Sequence, residues 1–249
     1  MSTDWRIAAA APLAVALPAA YPGGPSFEAG SRLLLSCSGA AGPLGVVSFV
    51  APSPVALAMN IAHSAAQQAE ALKRSFKYME AQSPIGPVRH ITSTTELFDY
   101  FERSMVAVFF SYQAIEAFCN EEIIRISPSA IEVKGKKGKQ LLEKREAERL
   151  LSTSDKLGNV LPKILDVSTI KGNRLWEKFL DLEHIRDAVV HLKNQTVQNI
   201  DSSNSAEQTL LTLLAKDACS WPRASMQLLG HFVRDPIPDW YEQLKKLIT

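Results

Sequence analysis

The stretch Ser93–Ile126, STTELFDYFERSMVAVFFSYQAIEAFCNEEIIRI, has the clearest period in the chain. Leu97, Phe101, Met105, Val108, Tyr112, Ile115, Cys119 and Ile123 recur at steps of four and three, which sets them in one apolar stripe along a helix. Ser93 stands three residues before Glu96, the spacing of a capping box, and Ser127-Pro128 supplies the stop. A helix of about 30 residues is about 45 Å long, which suits an elongated bundle better than a rounded globule.

Outward from this stretch the pattern stays helical. Residues 55–82 are rich in Ala, Gln and Lys with no internal Gly or Pro, and they predict a helix ending at Ser83-Pro84. Further helices are expected at 139–151, 155–166, 173–193, 205–219, 221–233 and 238–247. Pro222 should kink or restart the helix around it, with Ser220 as N-cap. No strand is expected to alternate with these helices and no fixed repeat is visible. The expectation for residues 55–249 is therefore an all-α bundle, most simply up-down-up-down.

Residues 1–54 have a different composition. They hold four charges (Asp4, Arg6, Glu28, Arg32) but half of the 12 glycines and half of the 14 prolines, too many for a long helix. Two apolar runs, Arg32–Cys37 and Gly45–Val50, predict an antiparallel hairpin. A lone hairpin is barely stable in water, so it should lie against the rest of the protein or a second chain. Ile7–Ala20 is apolar, but Pro12 and Pro18 interrupt it, Asp4 offsets Arg6, and it is too short to span a bilayer as a helix. The expectation is a cytoplasmic protein that does not enter the membrane.

The 249 residues are 46% hydrophobic and 21% charged, which excludes disordered and fibrous classes. With 27 Lys and Arg against 26 Asp and Glu, a polybasic nucleic-acid binder is excluded, though a local basic patch is not. Cys37, Cys119 and Cys219 are odd in number and widely spaced, so they form no closed disulfide framework or zinc pattern; each is expected as a small buried hydrophobe.

No GxSxG, HExxH, GxGxxG or EF-hand pattern occurs. The run Lys134–Lys139 lacks the Ser or Thr of a phosphate loop, since Gln140 follows its last lysine, and a helix rather than a strand is expected before it. It reads as a flexible solvated connection, or as a clamp in which Lys136, Lys137 and Lys139 hold a polynucleotide backbone. The chemistry concentrates in Asp181–Leu192, DLEHIRDAVVHL. Arg186 can grip phosphate oxygens by forked hydrogen bonds and offset transition-state charge. His191 can move a proton from a ribose 2′-hydroxyl or to a leaving oxygen near neutral pH. Asp187 can orient either side chain. The structural alternative makes Arg186 and Asp187 surface ion-pair formers and His191 a helix-end residue. His184, Asp187 and His191 also share a helical face, but two histidines and one aspartate make a poor metal site, and neither metal nor cofactor is expected. Glu183 and Lys193 are expected to face solvent.

Arg186-Asp187-Ala-Val-Val-His191 resembles the R-x4–6-H signature of the HEPN superfamily, in which a polar residue commonly follows the arginine. The segment Phe110–Asn120 is similar to the HEPN helix whose Glu and Asn face that signature, which marks Glu116 and Asn120 as supporting residues. The resemblance covers roughly residues 95–232. It implies a bundle of about four helices, often dimeric. The activity it implies is metal-independent cleavage of RNA, with tRNA among the substrates, in toxin–antitoxin or antiphage defence. An antitoxin or defence partner would then hold the enzyme in check. Other members of the superfamily are inactive and bind nucleotides or proteins, so a non-catalytic helical module is the alternative reading.

Helix geometry adds a constraint of its own. The expected apolar face of helix 173–193 is Leu175, Phe179, Leu182, Val189 and Leu192, with Arg186 at its flank. Five residues on, His191 lies about 140° around an ideal helix from Arg186. Either the helix ends or deforms near His191, or a second chain completes the site across a two-fold axis; the resemblance favours a homodimer.

Overall fold

The computed structural model describes residues 4–12, 15–19, 21–30, 32–34, 36–84, 86–127, 130–135, 138–192 and 206–248. The chain is mainly helical. Its order begins with four strands, β1 (Ala9–Pro12), β2 (Arg32–Leu34), β3 (Ser36–Ala40) and β4 (Val46–Val50), and continues with α1 (Pro54–Arg74). Then come β5 (Tyr78–Ser83), β6 (Gly86–Ile91), α2 (Thr94–Ile126), β7 (Ala130–Gly135) and β8 (Gly138–Glu143). The remainder is α3 (Lys144–Leu150), α4 (Thr153–Asp155), a π turn (Lys156–Val160), α5 (Leu161–Ile164), α6 (Arg174–Val190), α7 (Ala206–Ala215), α8 (Ser220–Phe232) and α9 (Asp239–Ile248).

The core forms around α2. Its predicted stripe is buried from Val108 through Tyr112, Ile115 and Cys119 to Ile123, while Leu97, Phe101 and Met105 are partly covered. Small residues let α1 pack closely: Ala56, Ala62, Ala66 and Ala69 are all inaccessible to solvent. Val55 and Met59 from the start of α1 cluster with Ile115 and Ile123, whereas Ala65 and Ala69 cluster with Tyr100 and Ala107. The two helices therefore run antiparallel. Ser53 caps α1 by accepting a hydrogen bond from the Ala56 N–H at 3.3 Å, and Pro54 occupies a first-turn position where no intrahelical donor is needed. On the other side of α2 lie α6 and α8; Phe179 stacks on Tyr112 at 6.1 Å, and the Ser225 hydroxyl donates to the Ser111 carbonyl at 3.0 Å.

Several expectations are corrected. The chain is not all-α, because the described residues contain four two-stranded antiparallel sheets, two of them inserted between helices. The helix expected over 55–82 stops at Arg74; Ser75 caps it, and Tyr78–Ser83 turns back on Gly86–Ile91 as a hairpin. Pairing with Gly86–Ile91, which starts at Gly86 with φ 116, outweighs the absence of helix breakers there. The helix expected over 139–151 begins only at Lys144, since Gly138–Glu143 pairs with β7. A strand rather than a helix therefore precedes the lysine run, with Lys134 opposite Lys139 in the β7–β8 register and Gly138 at φ 113. Ser93 does not form the expected capping box; its hydroxyl accepts from the Lys77 N–H at 3.1 Å, holding the β5–β6 hairpin at the start of α2.

Within residues 1–54 the first apolar run is divided. Ser36–Ala40 pairs with Val46–Val50 in register Ser36 to Val50, while Arg32–Leu34 pairs with β1. The strands β3 and β4 are largely exposed, with Val46 at 83% and Phe49 at 54%. Cys37 is exposed with them and Cys219 is half-buried, so only Cys119 meets the expectation of a buried hydrophobe. Pro222 sits in the first turn of a restarted helix, α8. Among the described residues, no helix is long and apolar enough to cross a membrane.

Candidate active site

Helix α6 starts at Asn173, whose side-chain oxygen accepts from the N–H groups of Leu175 and Trp176 at 2.9 and 3.2 Å. Phe179, Leu182 and Ile185 anchor it in the core. Leu175 and Val189 are partly covered, and Leu192, expected on the apolar face, is 42% exposed beyond the helix end.

Residues 179, 183 and 186 follow one another at helical steps of four and three, and all three meet Tyr112 of α2. Phe179 stacks on its ring. Glu183 accepts a hydrogen bond from its hydroxyl at 3.2 Å. The Arg186 guanidinium lies over the ring face, 3.8 Å from the centroid, within range of a cation–π contact. The Ser154 hydroxyl holds the Glu183 carboxylate from the far side at 2.9 and 3.0 Å. Glu183 therefore does not face solvent as expected; it is half-buried and fixes Tyr112. Burial pushes the Tyr112 phenol above its ordinary pKa, with a Thr153 hydrogen bond and the Arg186 charge pulling the other way and the Glu183 charge adding to the rise.

Asp187 completes the grip on Arg186, with Oδ1 2.6 Å from Nη1. The Arg186 side chain is 24% exposed, and its Nε–H is shut off from solvent with no acceptor among the described residues. A buried unpaired donor of this kind costs roughly 1–3 kcal/mol. His191 is the C-cap of α6, at φ −113 and ψ 44, and its N–H donates to the Asp187 carbonyl at 2.9 Å. The helix expected over 173–193 therefore stops at Val190, with His191 as its C-cap. The imidazole is exposed.

Asn120 accepts a hydrogen bond from the Lys156 ammonium at 2.8 Å, and Lys156, only 2% exposed, also donates to the Glu148 carbonyl at 2.6 Å. Glu116 is half-buried on α2. Among the described residues, neither Glu116 nor Asn120 hydrogen-bonds Arg186. Lys139 forms a solvent-exposed ion pair with Glu132 at 2.9 Å across the β7–β8 hairpin. Lys136, Lys137 and Lys193 lie outside the described residues. His184 borders a small recess of about 80 Å³ with Asp181 and Gln208, and no group of three His, Cys, Asp or Glu suited to a metal occurs among the described residues.

Sequence reasoning missed Tyr112, Glu183 and Ser154. The available signal was a tyrosine inside an otherwise aliphatic part of the α2 stripe, because a buried phenol usually finds a polar partner. No protein-family model, curated protein or solved structure matches this chain.

Proposed function

We propose that this chain is a metal-independent endoribonuclease of HEPN type, acting as a homodimer in a toxin or antiphage role. One observation carries the reading: the Arg186 guanidinium is held flat on Tyr112 and tied to Asp187, partly exposed, five residues before an exposed His191 at the end of α6. A guanidinium held in this way is positioned to bond phosphate oxygens through its Nη groups at a reduced entropic cost. His191 removes the proton from a ribose 2′-hydroxyl, and the 2′-oxygen attacks phosphorus. The bond to the 5′-oxygen breaks, leaving a 2′,3′-cyclic phosphate, and the imidazolium returns its proton to the departing 5′-oxygen. Arg186 offsets the charge gathered on the phosphoryl oxygens. Asp187 is a positioning residue.

The alternative reading, a non-catalytic helical module that binds protein or nucleotide, draws support from Asn120, which is committed to Lys156 rather than to Arg186. Cleavage of total RNA and tRNA in EDTA separates the two. Wild type should cut, and folded Arg186→Ala and His191→Ala should not. Cleavage that survives both substitutions moves the site elsewhere. A wild type that does not cut favours the binding module. Growth arrest on expression, relieved by His191→Ala, tests the toxin role.

A further inference from the structure

On the side of α2 that carries Gln113, Ala117, Glu121 and Ile124 lies a cleft of about 650 Å³. Its walls come from distant parts of the chain: Ile7 and Ala8, the start of α1, α2, α3, and the loop Val233–Pro238 leading into α9. This volume falls in the range of small-molecule sites. One wall is apolar, built from Phe118, Ile237 and Trp240. Its lining also carries charge, from α2, α3 and the loop into α9, and the balance among these groups decides the ligand.

Arg125 is already neutralised, because its Nε and Nη2 bond the two carboxylate oxygens of Glu122 at 3.2 and 2.5 Å. Arg234 is exposed and donates to the Val233 carbonyl at 2.8 Å. Glu148 and Asp239 add carboxylates from α3 and α9. Glu121 differs from all of these: it is half-buried, and no hydrogen bond or ion pair reaches its carboxylate among the described residues. Burial, reinforced by the Glu122 charge and opposed by Arg125, raises its pKa to about 7. A poorly solvated carboxylate beside an apolar wall lacks a counter-ion, and a ligand can bring one.

We propose that this cleft is a binding site for an organic cation, an amine or amidine on an apolar aromatic or aliphatic body, with Glu121 as its counter-ion. The body packs on Phe118, Ile237 and Trp240, and the charged head pairs with Glu121. The site is separate from the Arg186 cluster and does not depend on the reading of that cluster.

The test uses three probes with one body: 4-(biphenyl-4-yl)butylamine, the matching alcohol and the matching carboxylic acid. Each is titrated by calorimetry into the full chain at pH 8, where Glu121 is mostly ionised. The amine should bind at least tenfold more tightly than the alcohol, and the acid more weakly than either. In Glu121→Gln, an isosteric change, the alcohol should bind as in wild type and the amine should lose its advantage. Equal binding of all three probes overturns the proposal. So does the absence of binding by the amine, or an amine preference that survives Glu121→Gln with the fold intact by circular dichroism.

Discussion

Tyr112 packs in the core and holds two charged side chains of α6 at once. Its ring supports Arg186 and its hydroxyl anchors Glu183. Tyr112→Phe keeps the ring and leaves Glu183 with Ser154, so it should cost about 1 kcal/mol in urea unfolding and leave RNA cleavage largely intact. Tyr112→Leu removes the π face; a loss of about 1.4 kcal/mol in positioning Arg186 would lower kcat/KM about tenfold. Equal activity in the two variants would show that the ring does not position Arg186. Glu121 makes a second prediction, in pH. Its pKa rises from 4.5 to about 7 on folding, so between these values the folded chain binds more protons than the unfolded one. Stability is therefore greatest below about pH 4.5 as far as this group is concerned, and it falls as pH rises through 7, by about 3 kcal/mol in full. Glu121→Gln should match wild type near pH 4 and exceed it by up to that amount at pH 8. Stability profiles that stay parallel across this window would disprove the shift.

Elements are held by contacts at their ends as much as by their faces. The Lys73 ammonium, in the last turn of α1, donates to the carbonyls of Leu214 and Lys216 at 2.6 and 3.1 Å, where α7 ends. A cation there satisfies carbonyls that have no intrahelical partner and complements the helix dipole. The Tyr100 hydroxyl does the same for Leu213 at 2.5 Å from inside the core. Lys73→Met keeps the apolar stem but removes both bonds, and should cost about 1–2 kcal/mol. Hydrogen exchange should quicken in Ala206–Ala215 more than in α2; uniform acceleration would mean that the contact does not hold α7 in particular. The same scale explains what the sequence made legible. Period alone located α2, since 33 residues repeat without a breaker. It could not place the end of α1, because the residues of β5 are compatible with helix locally and form a strand only through pairing with β6. Ser93 had the right spacing for a cap, yet its hydroxyl is taken by Lys77, a tertiary contact that spacing does not encode.

At the scale of the whole molecule, the site read from Arg186 and His191 is half legible. Helix geometry left an end of α6 near His191 as one of two alternatives, and α6 stops at Val190, whereas the pairing of Asn120 with a buried lysine depended on how α4 and the following π turn pack on α2. The proposed two-fold arrangement supplies the decisive experiment. If one protomer contributes Arg186 and its partner His191, a dimer has two composite sites. Co-expressed Arg186→Ala and His191→Ala chains then form mixed dimers in which one site keeps both groups and the other has neither. With random assortment half of the dimers are mixed, so RNA cleavage should return to about a quarter of the wild-type level although each variant alone is dead. If a single chain holds the complete site, mixing restores nothing, because every chain lacks one of its two groups. Light scattering on the same preparations fixes the oligomeric state, and a monomer that still cuts RNA would remove the need for a partner chain altogether.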